Sequence, residues 1–332
     1  MQNMQNSKEL VNKMEYSAFK EAVKKEFLNY LPDEYKEGVL DIRSVEKINE
    51  NLDGLTLRLP HTNVSPTIYI NYMYEEYLDT DFNYVLTKAA KVYADAMEDK
   101  DDISVSSLIE DENIKEKIVF QIINTEQNRE MLENMPHREF LNLSIIYRMV
   151  VDMDVEHGVS SAMITNVLAE KYKLDENELF KLAAENTKRL FPPIITPMSD
   201  IISRMFADSD MSSIAMDTML DDIPSDEQMF VISNMRGVNG AVSILYEDVL
   251  HNLAEKLDND LYILPSSIHE CILISAKHGN PYELAQMVTQ INMSEVKLSE
   301  RLSNQVYHYD KDLRKISLAT DTPNKRLDDV VA

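Results

Sequence analysis

Between residues 16 and 31, apolar side chains recur at Phe19, Ala22, Val23, Phe27, Tyr30 and Leu31, with Lys and Glu on the opposite face. That spacing predicts an amphipathic helix, which Pro32 helps to stop. The pattern then changes to β-rich runs, "GVLDIRSVEKI", "GLTLRLP" and "SPTIYINYMY", separated by turn residues that include Asp53-Gly54. A small antiparallel sheet is expected there. Helical spacing returns at Phe82, Val85, Leu86, Ala89, Ala90, Tyr93 and Met97, a stripe able to cover one face of that sheet. The acidic stretch "EDKDDISVSSLIEDEN" then breaks the pattern and marks a domain boundary.

Beyond it, "KIVFQIINTE" and "REFLNLSIIYRMVV" read as longer, more buried strands, separated by a short helix and a break at Pro136. Two helices follow, and Asp175 with Glu178 forms a capping-box start for the second. "FPPIITP" reads as a stiff connection and "SDIISRMFADSDMSSIAMDTML" as a third helix. "MFVISNMRGVNGAVSILY" reads as a hairpin turning at Gly237 to Gly240, followed by a helix over 246–257 and a strand pair around "LYILPSSIHECILIS". Asn280, Pro281 and Glu283 start a helix whose expected apolar face is Leu284, Met287, Val288 and Ile291. A hairpin in "NQVYHYDKDLRKISL" ends the ordered chain.

These elements predict an α+β fold: mostly antiparallel sheets covered by amphipathic helices, in two packed subdomains. The expected organisation is a disordered start over 1–14, an α+β subdomain over 15–99, an acidic linker over 100–113, a larger α+β domain over 114–320 and a disordered tail over 321–332.

Glycine narrows the function classes most. The chain has 6, at positions 38, 54, 158, 237, 240 and 279, where ordinary usage of about 7% gives roughly 23. Neither G-x-G-x-x-G nor G-x-x-x-x-G-K-[ST] fits those positions, so no phosphate-cradling loop and no nucleotide cofactor is expected. The nucleophile elbow G-x-S-x-G fails in the same way. A single cysteine, Cys271, forbids an intrachain disulfide and a thiolate-based metal cage, which suits the reducing cytoplasm. The longest apolar stretch, "LSIIYRMVVDM", is interrupted by Arg148 well short of a membrane span, so no membrane partner is expected. The 58 acidic residues against 33 basic ones give a net charge of −25, which repels a phosphate backbone. Nucleic acid is therefore an unfavoured partner and protein the favoured one.

Four segments in order, "NVSPTIYINYMYEEYLDTDF", "NMPHREFLNLSIIYRMV", "NGAVSILYEDVLHNLAEKLDNDLYILPSSIHECILIS" and "LSNQVYHYDKD", resemble a family of bacterial proteins known only as a domain of unknown function, from about Glu15 to Leu318. "LPSSIHE" alone has a more distant likeness to a second such family. The resemblance implies a soluble bacterial protein, often associated with mobile elements, and transfers no catalytic residue.

Two constellations are candidates for chemistry. Ser267, His269 and Glu270, with Asn239 from the preceding turn, are the residue types of a nucleophilic relay. Neighbours on one strand, however, point to opposite faces, and Pro265-Ser266-Ser267 equally reads as a turn whose hydroxyls cap backbone amides. Asp152, Asp154, Glu156 and His157 offer hard metal ligands, or simply a solvated strand end. Cys271 and His269 form a conceivable dyad, against the commoner reading of a buried thiol. Met198, Met205, Met211, Met216, Met219, Met229 and Met235 read as irregular core filler or as an adaptable docking surface. The favoured class is an interaction or regulatory module with an acidic surface. The alternatives are an enzyme with a pocket near 237–240 and 265–270, and a nucleic-acid mimic or antagonist of a defence system.

Overall fold

Phe19 and Val23 are fully buried on the first helix of a computed structural model, which describes residues 13–60, 65–98, 113–154, 158–206, 227–277, 279–323 and 325–328. The chain divides into two units, Met1–Lys47 with Asn51–Glu110, and Ile48–Glu50 with Asp111–Ala332.

In the smaller unit, α1 (Tyr16–Glu26), α2 (Ile70–Asp79) and α3 (Phe82–Glu98) accompany a sheet of β1 (Val39–Lys47), β2 (Glu50–Arg58) and β3 (Thr67–Tyr69), in that order. Leu55 and Leu57 of β2, Ile70, Met73 and Tyr77 of α2, and Val85, Leu86 and Tyr93 of α3 close over Phe19 as one core. Phe19 stacks on Tyr77 with ring centroids 4.9 Å apart. Two expectations need correction. "SPTIYINYMY" is strand for only three residues, because Ile70, Met73 and Tyr77 recur at helical spacing and are buried that way. The β1–β2 turn lies at Ile48-Asn49, where Asn49 has φ 66°, and Asp53-Gly54 sits inside β2. Gly54 suits that place because a Cβ there would press on the methyls of Val45 and Thr67, each at 2.8 Å.

The larger unit holds two sheets. β4 (Ile118–Asn124), β5 (His137–Phe140), β6 (Leu143–Asp154) and β7 (Gly158–Met163) form the first, with β6 at its centre and antiparallel to the other three. Helices α4 (Arg129–Leu132), α5 (Asn166–Tyr172) and α6 (Glu176–Leu190) belong to this half. The predicted capping box is present: Asp175 accepts from the Glu178 amide, and the Glu178 side chain accepts from the Asp175 amide. The expected single strand "REFLNLSIIYRMVV" is instead the β5–β6 hairpin, and β7 was not anticipated at all.

The second sheet runs β13-β12-β10-β11-β9-β8, built from β8 (Pro193–Pro197), β9 (Phe230–Asn234), β10 (Leu261–Leu264), β11 (Cys271–Ser275), β12 (Tyr307–Asp310) and β13 (Lys315–Leu318). The prolines of "FPPIITP" do not prevent a strand, because β8 is an edge. Met198 N–H bonds to Met229 O and Met235 N–H to Pro192 O, so by alternation Pro193, Ile195 and Pro197 turn their backbone outward. Two of those three positions lack an N–H, which blunts the edge against further pairing. Helices α7 (Met198–Phe206), α8 (Glu247–Leu257) and α9 (Pro281–Glu295) complete the unit.

The hairpin expected at Gly237 to Gly240 is a tight turn feeding a buried 3-10 segment, Gly240–Leu245, that packs against strands of both sheets. Only glycine fits at 240, because a Cβ would collide with Ser233 Oγ and the His269 carbonyl. The buried face of α9 is Ala285, Val288, Thr289 and Asn292, leaving Met287 and Ile291 exposed. Asn292 decides that rotation, donating to the Ser303 carbonyl at 3.0 Å and to Asn304 Oδ1 at 2.9 Å. The tail expected to fray is held in its described parts: Leu327 is buried, its carbonyl accepts from Arg301, and Gln305 binds Thr322. Met205, Met229 and Met235 are exposed rather than core filler, while Met211, Met216 and Met219 lie outside the described residues. No described helix is long and apolar enough to cross a membrane.

Candidate functional site

The corner between β10 and β11 holds Ser267, His269 and Glu270, and its backbone is paired with a neighbouring segment. Ser266 and Pro265 carbonyls accept from Leu302 and Ser303, Ile268 donates to Glu300, and Ser267 bridges Arg301. Ser267 Oγ accepts from the His269 amide at 3.0 Å, and the Asn239 amide donates to His269 Nδ1 at 3.2 Å. Asn239, Ser267 and His269 are therefore brought together, but each bond runs through a backbone amide. No hydroxyl–imidazole pair forms among them. Glu270 faces solvent. Cys271 begins β11 fully buried, and burial, followed by the Glu270 charge, pushes its thiol well above the usual range.

Asp152 is exposed and accepts from the Met153 amide at 2.8 Å. The Asp154 side chain, Glu156 and His157 lie outside the described residues. Among the described residues no three His, Cys, Asp or Glu side chains group as metal ligands.

A different place in the larger unit has the form of a binding site. The tips of the β5–β6 and β12–β13 hairpins and the start of α8 enclose a cleft of about 390 Å³, within the usual range for ligand sites. Its floor is apolar, from Phe140, Leu141, Ile244, Leu245 and Ile316, and its rim carries Glu139, Glu247, Arg314 and Lys315. Both tips hold a bulky residue in the left-handed region: Leu141 at φ 58° and Arg314 at φ 52°. Pairing of Phe140 with Leu143 leaves a two-residue loop whose first position favours glycine at this φ, yet leucine occupies it and is 41% exposed. Backbone strain of this kind concentrates at functional sites.

Tyr309 lies against this cleft, 1% exposed, and its hydroxyl, beside the Glu247 carboxylate, makes no hydrogen bond of good distance and angle among the described residues. The neighbouring Glu247 carboxylate is held by Arg314 at 3.3 Å. Burial first, then the Glu247 charge, push the phenol up to about 12, so it stays protonated and able to donate at neutral pH. Glu139 and Lys315 have no ion-pair partner among the described residues. No sequence motif marks this cleft, because its residues come from three distant segments. The available signal was indirect: in a chain this poor in glycine, two hairpins turn on Leu and Arg.

Fold and cleft together define an α+β protein of antiparallel sheets with a preformed, charge-rimmed apolar groove in its larger unit. The chain belongs to DUF5688, a family of unknown function whose model matches residues 16–311. No curated protein and no solved structure matches it.

Proposed function

We propose that the protein is an interaction module that takes an extended, basic segment of a partner protein into the groove between the β5–β6 and β12–β13 hairpins. The observation that carries this reading is the buried Tyr309 hydroxyl, which makes no well-formed hydrogen bond among the described residues, beside an apolar cleft of about 390 Å³ with unpaired Glu139 and Lys315 on its rim. A buried hydroxyl without a well-formed hydrogen bond costs up to roughly 1–3 kcal/mol, which a carbonyl reaching it from the cleft offsets. An extended segment supplies such a carbonyl and an apolar side chain for the floor. Glu139 stands ready for a basic side chain, Lys315 for a carbonyl or carboxylate, and the net charge of −25 draws a basic segment toward the surface.

The test is to pan a displayed library of random linear peptides against the full chain. Enriched sequences are expected to carry Lys or Arg beside an apolar residue, to bind more weakly as salt rises, and to lose most of their binding to Leu141→Asp. Aspartate tolerates the left-handed conformation, so that variant keeps the turn. Failure to enrich any sequence, or undiminished binding to Leu141→Asp, overturns the reading.

A further inference from the structure

Arg148 projects from β6 into a second, narrow cleft whose apolar walls include Val119, Val150, Val159 and Val242. Every partner its guanidinium has among the described residues is neutral. Nε donates to Ser161 Oγ at 2.8 Å, Nη2 to the Ser161 carbonyl at 2.8 Å and Nη1 to Gln121 Oε1 at 3.2 Å. No described carboxylate lies within ion-pair distance of it. Burial lowers its pKa, as expected for a partly desolvated cation with no counter-charge among the described residues.

The donor chemistry then fixes the amides around it. Arginine has only N–H groups to offer, so Gln121 must present Oε1 to it. Gln121 Nε2 is thereby turned to donate to Asn239 Oδ1, at 2.9 Å. Asn239 must in turn direct Nδ2 away from Gln121, and no described acceptor meets it. The Thr187 hydroxyl on the cleft wall is already engaged, accepting from the Phe120 amide and donating to the Ala183 carbonyl. Among the described residues, the donors that meet no protein acceptor are the spare guanidinium N–H groups and the Asn239 amide, around a positive charge. Water would satisfy a donor there but cancel no charge.

We propose that this cleft binds a small inorganic anion of halide size as the counter-charge to Arg148. The free space, about 10 Å³, is that of a single small occupant, which favours a monatomic anion over phosphate, sulfate or a carboxylate-bearing metabolite. The acidic exterior does not forbid this, since its field is screened over about 8 Å at physiological ionic strength whereas the guanidinium acts at contact.

The experiment melts the full chain in sodium gluconate against sodium chloride and sodium bromide at constant ionic strength, and locates bromide by anomalous scattering in crystals. The expected result is a saturable rise in Tm of a few degrees with either halide and an anomalous peak between Arg148 and Asn239. Asn239→Asp places a carboxylate at that point on a residue that tolerates its left-handed φ of 53°. This variant is expected to melt higher than the parent in gluconate and to lose the halide response. A Tm indifferent to halide, a cleft without bromide, or an Asn239→Asp variant that responds to halide as the parent does overturns the proposal.

Discussion

Tyr309 shows how a single atom divides stability from recognition. Replacing it with phenylalanine removes a buried hydroxyl that makes no well-formed hydrogen bond among the described residues, with no change in packing volume at the ring. Tyr309→Phe is expected to raise the unfolding free energy by about 1 kcal/mol, read from denaturant midpoints, while weakening capture of groove-binding peptides. A loss of stability instead would show that the hydroxyl is satisfied in solution. Cys271 offers a simpler check: buried at 0% exposure with its thiolate disfavoured, it should react with a thiol reagent only under denaturing conditions.

At the scale of elements, the β5–β6 hairpin carries the clearest conflict between local and global preference. A bulky residue at φ 58° costs roughly 1–2 kcal/mol, and glycine there relieves most of it at some entropic loss in the unfolded chain. Leu141→Gly is therefore expected to leave the thermal midpoint unchanged or slightly higher, while reducing peptide affinity by about tenfold, roughly 1.4 kcal/mol in binding free energy. A marked fall in midpoint would mean that the Leu141 side chain holds the turn by packing. Helix α6 behaves in the opposite way, since its local signals agree with its place in the fold. Asp175→Ala removes one arm of the capping box and is expected to cost about 1 kcal/mol in chemical denaturation.

For the molecule as a whole, charge sets the pH limits. Glu176 joins α6 to β5 and β6 by accepting from Arg138 at 2.7 Å and from the Tyr147 hydroxyl at 2.5 Å. Burial alone would raise its pKa, but the hydrogen bonds from Arg138 and Tyr147 outweigh that and hold its carboxyl below the usual range. A carboxyl lowered by folding contributes stability that is complete above its unfolded value, about 4.3, and lost as pH falls through the lower folded value. Stability measured from pH 6 downward is expected to fall below about pH 4, and Glu176→Gln should flatten that descent. An identical acid limb in the variant would remove Glu176 from the account.

The apolar periods of α1 and α3, the capping residues Asp175 and Asn280, and the antiparallel α+β class were all legible in the sequence, because burial of a repeating stripe and capping of a helix end are local consequences of residue order. The β5–β6 turn was not, because it rests on a leucine held in a conformation that leucine does not prefer alone. Nor was the edge position of β8, where proline is excluded or tolerated according to which neighbour the strand lacks. Asn239 was legible as a polar residue in a turn, but its bond to Gln121 spans 118 positions, and the chain of bonds continues from there to Arg148. Tertiary structure alone decided that Arg148 would be half-buried with only neutral partners among the described residues, and that two hairpin tips would lie against Tyr309. Those outcomes depend on which strands pair and in what register, and that is settled by the combined burial of many side chains rather than by any segment's own pattern.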